Sequence, residues 1–194
     1  MIAVIKLGGS LSADPVLRPW LDMLVECGSG KVVIVPGGGP YADEVRAAQR
    51  CWHFDDAVAH RMALLAMEQY GLQLQGINPA LAIADSIATI ERALREKKVA
   101  IWLPSAMALA APEISTTWDV TSDSLAAWLA KMIHAERLIL VKSCSVKAED
   151  SVAELARQGI VDASFEMLIR GVEFKIDVVN KTDVEAVKNG LAGS

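Results

Sequence analysis

Residues 2–10 read IAVIKLGGS, and the reading of this stretch decides the fold. Ile2, Ala3, Val4, Ile5 and Leu7 make the apolar run of a short buried strand, and Lys6 interrupts it. An ammonium inside a core-forming strand is costly unless it leaves the core or meets an anion. Gly8, Gly9 and Ser10 follow at once. Adjacent glycines let a backbone come close to a ligand and leave amide N–H groups uncovered. Strand, lysine and glycine turn together read as half of a phosphate cradle.

Residues 31–35 (KVVIV) supply the second half, a β-branched run long enough for a buried strand. Pro36, Gly37, Gly38, Gly39 and Pro40 follow, and a helical pattern begins near residue 41. Proline suits the first helical turn, where its missing N–H had no partner anyway. Parallel α/β sheets place ligands outside the carboxyl ends of their strands. A helix N-terminus adds amide donors and partial positive charge. Both glycine turns are therefore expected on one edge of one sheet. A lone GGS or GGG is commonly only a turn, and neither fits GxxxxGK[ST] or GxGxxG. The pair, placed after two strands with a lysine on the first, is the more specific signal.

Composition sets the bounds. With 194 residues, 53% hydrophobic and 22% charged, the chain suits one globular α/β domain. A net charge of −5 argues against a general nucleic-acid or membrane-surface binder. Cys27, Cys51 and Cys144 show no CxxC spacing, which suits a reducing compartment. His53, His60 and His134 give no HExxH, so no metal site is readable. The first strand leaves no room for a signal peptide, and the most apolar stretch, 99–112, is too short for a bilayer and broken by Pro104. A cytoplasmic protein is expected.

Asp14 and Pro15 read as the cap and first residue of a helix that Gly28 and Gly30 end. A further helix is expected over 41–50. Asp55 or Asp56 caps the next, with Val58, Met62, Leu65 and Leu72 on one face and a break at 71–76. His60 and Arg61 near its start are either a solvated face or substrate contacts. A short helix is expected over 80–85, another helical or mixed segment over 86–97, a third strand over 99–103 and a turn of helix over 105–111. The stretch 116–131, TTWDVTSDSLAAWLAK, opens a helix that Thr121 or Ser122 can cap. Asp123 in its first turn favours the helix dipole. With Asp119 nearby, the two carboxylates and their hydroxyl neighbours exceed what capping needs. A phosphate cradle also needs a group that holds its lysine in place, a role that suits Asp123. A fourth strand over 137–141 ends on Lys142 and Ser143. Helices at 148–158 and 164–169, a fifth strand over 174–179 and a last helix over 184–191 complete the chain.

KLGGS, then GGGP after the second strand, then a hydroxyl-and-aspartate cluster opening a mid-chain helix: in these features the chain resembles the amino acid kinase superfamily. The likeness in element order extends over nearly the whole chain. It implies a three-layer αβα sandwich with a mainly parallel central sheet, and transfer of a phosphoryl group from Mg²⁺-bound ATP to a small acceptor. Under it, Lys6 matches the lysine on the transferred phosphate. Gly8, Gly9 and Ser10 match the turn that binds ATP phosphates, while Gly37, Gly38 and Gly39 match the turn facing the acceptor. Asp123 matches the aspartate that orients the lysines, and Asp119 and Thr121 stand in for two asparagines of the family's Asn-x-Asn-x-Asp. The family's Thr-Asp-x-x-Gly nucleotide segment is replaced by Lys142, Ser143, Cys144, Ser145 and Val146. Its later Gly-Met-x-x-Lys segment, with a second phosphate-binding lysine, is not visible, and Lys142 is the candidate substitute.

Within the superfamily, the short length, AHRMALLAMEQYG at 59–71 and TTWDVTSDSLAAW at 116–128 resemble the small kinases of methanofuran and methylofuran synthesis. Those act on an aminomethyl-furanmethanol phosphate and make the diphosphate. The resemblance makes His60 and Arg61 candidate acceptor contacts. Mg²⁺ would ride mainly on ATP oxygens. A carboxylate kinase of the same fold and a non-catalytic nucleotide- or oxyanion-binding protein are the rival readings. A homo-oligomer is expected.

Overall fold

The computed structural model describes residues 1–144 and 151–192. Ser145 and Val146, with the start of the helix expected from 148, lie outside the described residues. The centre of the structure is β1 (Ala3–Leu7), flanked by β2 (Val32–Pro36) and β5 (Arg137–Lys142). Beyond β2 lie β4 (Ala100–Trp102) and β3 (Ala82–Ala84), and beyond β5 lies β6 (Lys175–Asn180). All these pairings are parallel, in the order β3-β4-β2-β1-β5-β6.

Strand periodicity assigns the two faces. Ala3, Ile5 and Leu7 pack with Val32, Ile34 and Ile139 against α1 (Leu17–Gly28) and α9 (Val184–Ala192). Val4 packs with Val33, Val35, Leu138 and Leu140 against α4 (Ile87–Arg95) and α6 (Ser122–Met132). Helices thus cover both faces, giving the expected three-layer sandwich. Successive side chains alternate sides, so Lys6 shares the face of Val4 and points toward α6. Trp20 of α1 lies in the other core, against the face of Ala3, Ile5 and Leu7, where it is fully buried.

Between β2 and β3 run two long helices, α2 (Gly39–Trp52) and α3 (Asp56–Ile77), packed together as a hairpin. Asp55 caps α3, its side chain accepting from the Val58 N–H at 2.9 Å. The face that carries Val58, Leu65 and Leu72 is turned outward and these three are exposed, while Ala59, Leu64, Met67, Tyr70 and Leu74 are buried. The apolar residues of this helix run round more than one face, so spacing alone does not say which stripe meets the sheet. The expected break at 71–76 is also absent. The helix runs on through Gly71, where a Cβ would lie 2.9 Å from Leu103 Cδ2 and 3.2 Å from Ile101 Cγ2, so the residue there is a glycine for close packing and not a helix end. The glycine is a close helix-to-sheet contact.

Two other expectations shift. Residues 82–84 form edge strand β3 where a helix was expected, because Ala82 N–H donates to the Val99 carbonyl and Leu103 N–H to that of Ala84. Pairing with β4 overrides alanine's helix preference. Helix α1 starts at Leu17, and Asp14 instead accepts the Val16 N–H at 3.0 Å in the preceding turn. Helix α6 is buried all round from Ser122 to Ala130, since its alanines fit between the sheet and the covering helices. Two short helices follow β5 in the chain, α7 (Val152–Arg157) and α8 (Phe165–Leu168), and α8 packs on α6. The turn of helix after β4 is α5 (Ser105–Ala108).

Candidate active site

The two glycine turns meet at the carboxyl edge of β1 and β2, and they press on each other. A Cβ on Gly9 would lie 2.2 Å from Gly39 N, and one on Gly37 would lie 2.5 Å from Gly9 N. The Gly37 N–H donates to the Leu7 carbonyl at 2.9 Å, closing the second turn onto the first strand. Only residues without a side chain fit this contact. Gly9 opens a short 3-10 turn to Leu11, and Gly39, at a φ of +56°, opens α2.

Behind the turns lies a buried triad of charges. Lys6 Nζ stands 3.0 Å from Asp123 Oδ1, and Lys142 Nζ stands 2.5 Å from Asp123 Oδ2. Lys6 comes from the middle strand, Lys142 from the end of the neighbouring strand and Asp123 from the first turn of α6. Register explains the meeting. Lys6 pairs with Leu140, so Lys142 lies two residues further toward the carboxyl edge, on the same sheet face. Burial pushes the Asp123 carboxyl up, but the two ammonium groups outweigh it and hold the carboxyl below its ordinary range. Burial and the neighbouring Lys6 charge pull Lys142 down from the ordinary lysine range, against the opposing pull of Asp123.

A cavity of about 470 Å³ opens beside the turns, between α2, α3 and the start of α6. Of the residues expected from sequence, Gly9, Ser10, Gly38, Gly39, His60 and Thr121 line it. Gly8 and Gly37 are buried within their turns. Arg61 and Asp119 are exposed and do not line this cavity; Arg61 is on the outer surface of α3, and the Asp119 carbonyl accepts the Ser164 N–H at 3.0 Å. Ser143 is exposed just past the end of β5. His60 is buried, its Nε2 lacks a protein partner, and burial pulls its pKa down, so the imidazole is neutral near pH 7.

Trp118 and Arg46 are among the lining residues not singled out from sequence. The Trp118 ring carries the Arg46 guanidinium 4.4 Å above its centre, and Trp118 Nε1 donates to Gln49 at 2.7 Å. Arg46 also pairs with Asp43 at 3.1 Å on the rim. A tryptophan directly before the hydroxyl-and-aspartate cluster was the one available signal. Among the described residues no group of three or more His, Cys, Asp and Glu side chains gathers to hold a metal ion, and no helix is long and apolar enough to cross a membrane.

Two lysines gathered on one carboxylate beside two glycine turns are donors of the kind that phosphate oxygens accept from. The chain belongs to the amino acid kinase family, whose model matches residues 1–145. It is a small-molecule kinase, a phosphotransferase. Over 98% of its length it is 27% identical to the [5-(aminomethyl)furan-3-yl]methyl phosphate kinase of Methanocaldococcus jannaschii, covering 93% of that protein. Its fold is similar to that of uridylate kinase from Archaeoglobus fulgidus, with a TM-score of 0.74, 18% identity, and 100% and 97% of the two chains covered. An isopentenyl phosphate kinase matches at a TM-score of 0.63 and 15% identity, over 100% and 97% of the two chains.

Proposed function

We propose that the chain transfers the γ-phosphoryl group of Mg²⁺-bound ATP to the phosphate of an aminomethyl-furanmethanol phosphate, giving the diphosphate. The observation that carries this reading is the buried triad of Lys6, Asp123 and Lys142 beside the paired glycine turns. Phosphoryl transfer passes through a loose transition state with charge spread over oxygens, so positioning and electrostatics do most of the catalysis. Lys6 and the amides of Gly8, Gly9 and Ser10 hold donor oxygens, and the turn of Gly37, Gly38 and Gly39 faces the acceptor and the moving group through the amides of Gly38 and Gly39, the Gly37 N–H being engaged by the Leu7 carbonyl. Lys142, from the end of β5, takes the place of the family's second phosphate-binding lysine, and Ser143 beside it faces the nucleotide. Asp123 aims both ammonium groups and stays ionised because they hold its proton off. Mg²⁺, when bound, offsets charge on the donor's phosphate oxygens. A phosphate acceptor is already anionic near pH 7, so no general base is required.

Support for the acceptor comes from the cavity and from the similarity to the archaeal kinase. The cavity suits one small ring, with the apolar side chains of Leu64 and Met67 and the Trp118 indole on its walls. The proposed acceptor carries a phosphate and an ammonium, and the rim offers one charge of each sign, Arg46 and Asp43. His60 and Thr121 are further acceptor contacts. A homo-oligomer belongs to the same proposal: Val58, Leu65 and Leu72, seven residues apart, expose an apolar stripe along α3. The reaction would run in the cytoplasm, where ATP is supplied.

The test is ADP release from Mg-ATP with the furan monophosphate, beside UMP, isopentenyl phosphate and acidic amino acids. Turnover confined to the furan phosphate, with a new diphosphate product, is the expected result. An acyl phosphate trapped by hydroxylamine would overturn it in favour of a carboxylate kinase.

A further inference from the structure

Helix α6 has an unusual start. Thr121 sits at its N-cap, yet the Thr121 hydroxyl makes no capping bond to the first turn. The exposed N–H groups of that turn are served from 38 to 41 residues away, by Asp162 between α7 and α8. One oxygen of Asp162 accepts the Thr121 N–H at 2.9 Å, the Ser124 N–H at 3.0 Å and the Thr121 hydroxyl at 2.8 Å. The other accepts the Ser124 hydroxyl. Phe165 N–H donates to the Asp162 carbonyl at 3.2 Å, and Ser164 N–H reaches the Asp119 carbonyl, so the segment grips the helix start on both sides.

Asp123 lies between the two residues that Asp162 holds. A carboxylate bound by four donors at a helix N-terminus is favoured by charge and by the helix dipole. It fixes the first turn in rotation and in rise, and hence the direction of the Asp123 side chain. That direction must serve two ammonium groups at once, at 3.0 and 2.5 Å. The Asp162 charge also favours the ammonium form of Lys142.

We propose that Asp162 is a positioning residue for phosphoryl transfer: it caps α6 in place of a local side chain and so sets the Asp123 carboxylate that aims Lys6 and Lys142. This rests on the kinase reading of that triad. Asp162 touches neither phosphate nor acceptor. Its loss therefore acts on the alignment of the lysines and leaves nucleotide binding alone, reaching the acceptor only through Thr121, whose hydroxyl it holds.

The experiment compares Asp162→Ala, Asp162→Asn and Ser124→Ala in the full chain, with kinetics measured well below each melting temperature. Asp162→Ala is expected to lower kcat by about 10²-fold while KM for Mg-ATP holds. Asp162→Asn, whose amide oxygen still accepts the two backbone N–H groups, is expected to recover most of that loss. Ser124→Ala, which removes one bond of four, is expected to show a smaller loss in the same direction. A second readout needs no acceptor. Lysine side-chain NMR of the wild type should show Lys6 and Lys142 as ammonium signals protected from exchange, with Lys31, bonded to the Leu191 carbonyl, as a distant control. Asp162→Ala should lose protection at Lys6 and Lys142 alone. A folded Asp162→Ala variant that keeps both its kcat and its two protected signals overturns the proposal, since Asp162 is then only a helix cap. Should the wild type turn over no acceptor, the kinase reading fails while the NMR comparison still decides what Asp162 does.

Discussion

Replacing Asp123 by Asn is the sharpest test of the triad. The carboxylate stands between two buried ammonium groups, at 3.0 Å from one and 2.5 Å from the other. Through that one carboxylate the two charges stand roughly 8 Å apart at most, and at an effective dielectric of about 20 they repel by about 2–3 kcal/mol. Removing one member of a buried ion pair costs about 3–5 kcal/mol, because a charge is left uncompensated. Asparagine keeps the shape and one acceptor, so about 3–5 kcal/mol is the expected loss, with no added cavity cost. In a domain of this size each kcal/mol moves Tm by about 2–4 °C, so a fall of roughly 6–20 °C is expected at pH 7. The deficit also has a pH signature. Burial and the Lys6 charge already hold Lys142 below the ordinary lysine range, and the variant removes the carboxylate that opposes them, so the unfolded state binds more protons and stability rises with pH. Thermal and urea unfolding followed by circular dichroism at pH 7, 9 and 10 should show the gap to wild type narrowing as pH rises. A gap under about 1 kcal/mol, or one that stays constant with pH, would refute the view that Asp123 neutralises two buried charges.

Lys6→Ala should lower turnover by about 10²–10³-fold with the fold retained, checked by steady-state kinetics beside circular dichroism. Because burial and Lys6 hold Lys142 below the ordinary lysine range, the alkaline limb of kcat/KM should fall at lower pH than an ordinary lysine would give, and Lys142→Met should abolish that limb along with most activity. Gly9→Ala places a Cβ 2.2 Å from Gly39 N, so it should destabilise by about 1–3 kcal/mol and spoil both turns together, seen as a lowered Tm and weakened Mg-ATP binding. Trp118→Ala removes one wall of the cavity and the seat of Arg46, and it should raise the acceptor KM while the ATP KM holds.

The parts of this architecture that were legible in the sequence share a local signal. Lys6 interrupts an apolar run, glycines cluster after two strands, and Asp123 follows a pair of hydroxyl residues; each is a conflict between neighbours in the chain. What escaped was decided at a distance. Residues 82–84 look helical until β4 offers them a ladder. The burial of α3 depends on which of its apolar stripes meets the sheet, and Val58, Leu65 and Leu72 lost that contest. Asp162 caps a helix that begins 40 residues before it, and no spacing rule connects the two. Arg46 and Trp118 meet only because α2 folds back beside the loop that carries Trp118.

The contact between Gly9 and Gly39 divides the labour of the molecule. Because one backbone rests directly on the other, the gap that the proposed transfer would cross is machined into main chain, beyond the reach of any side-chain rotamer. Arg46, His60 and Trp118, by contrast, are interchangeable parts hung on α2, α3 and a loop. On the proposed function, acceptor choice can be retooled at these positions while the transfer distance stays as it is, and a library confined to them would sample new substrates on a fixed jig.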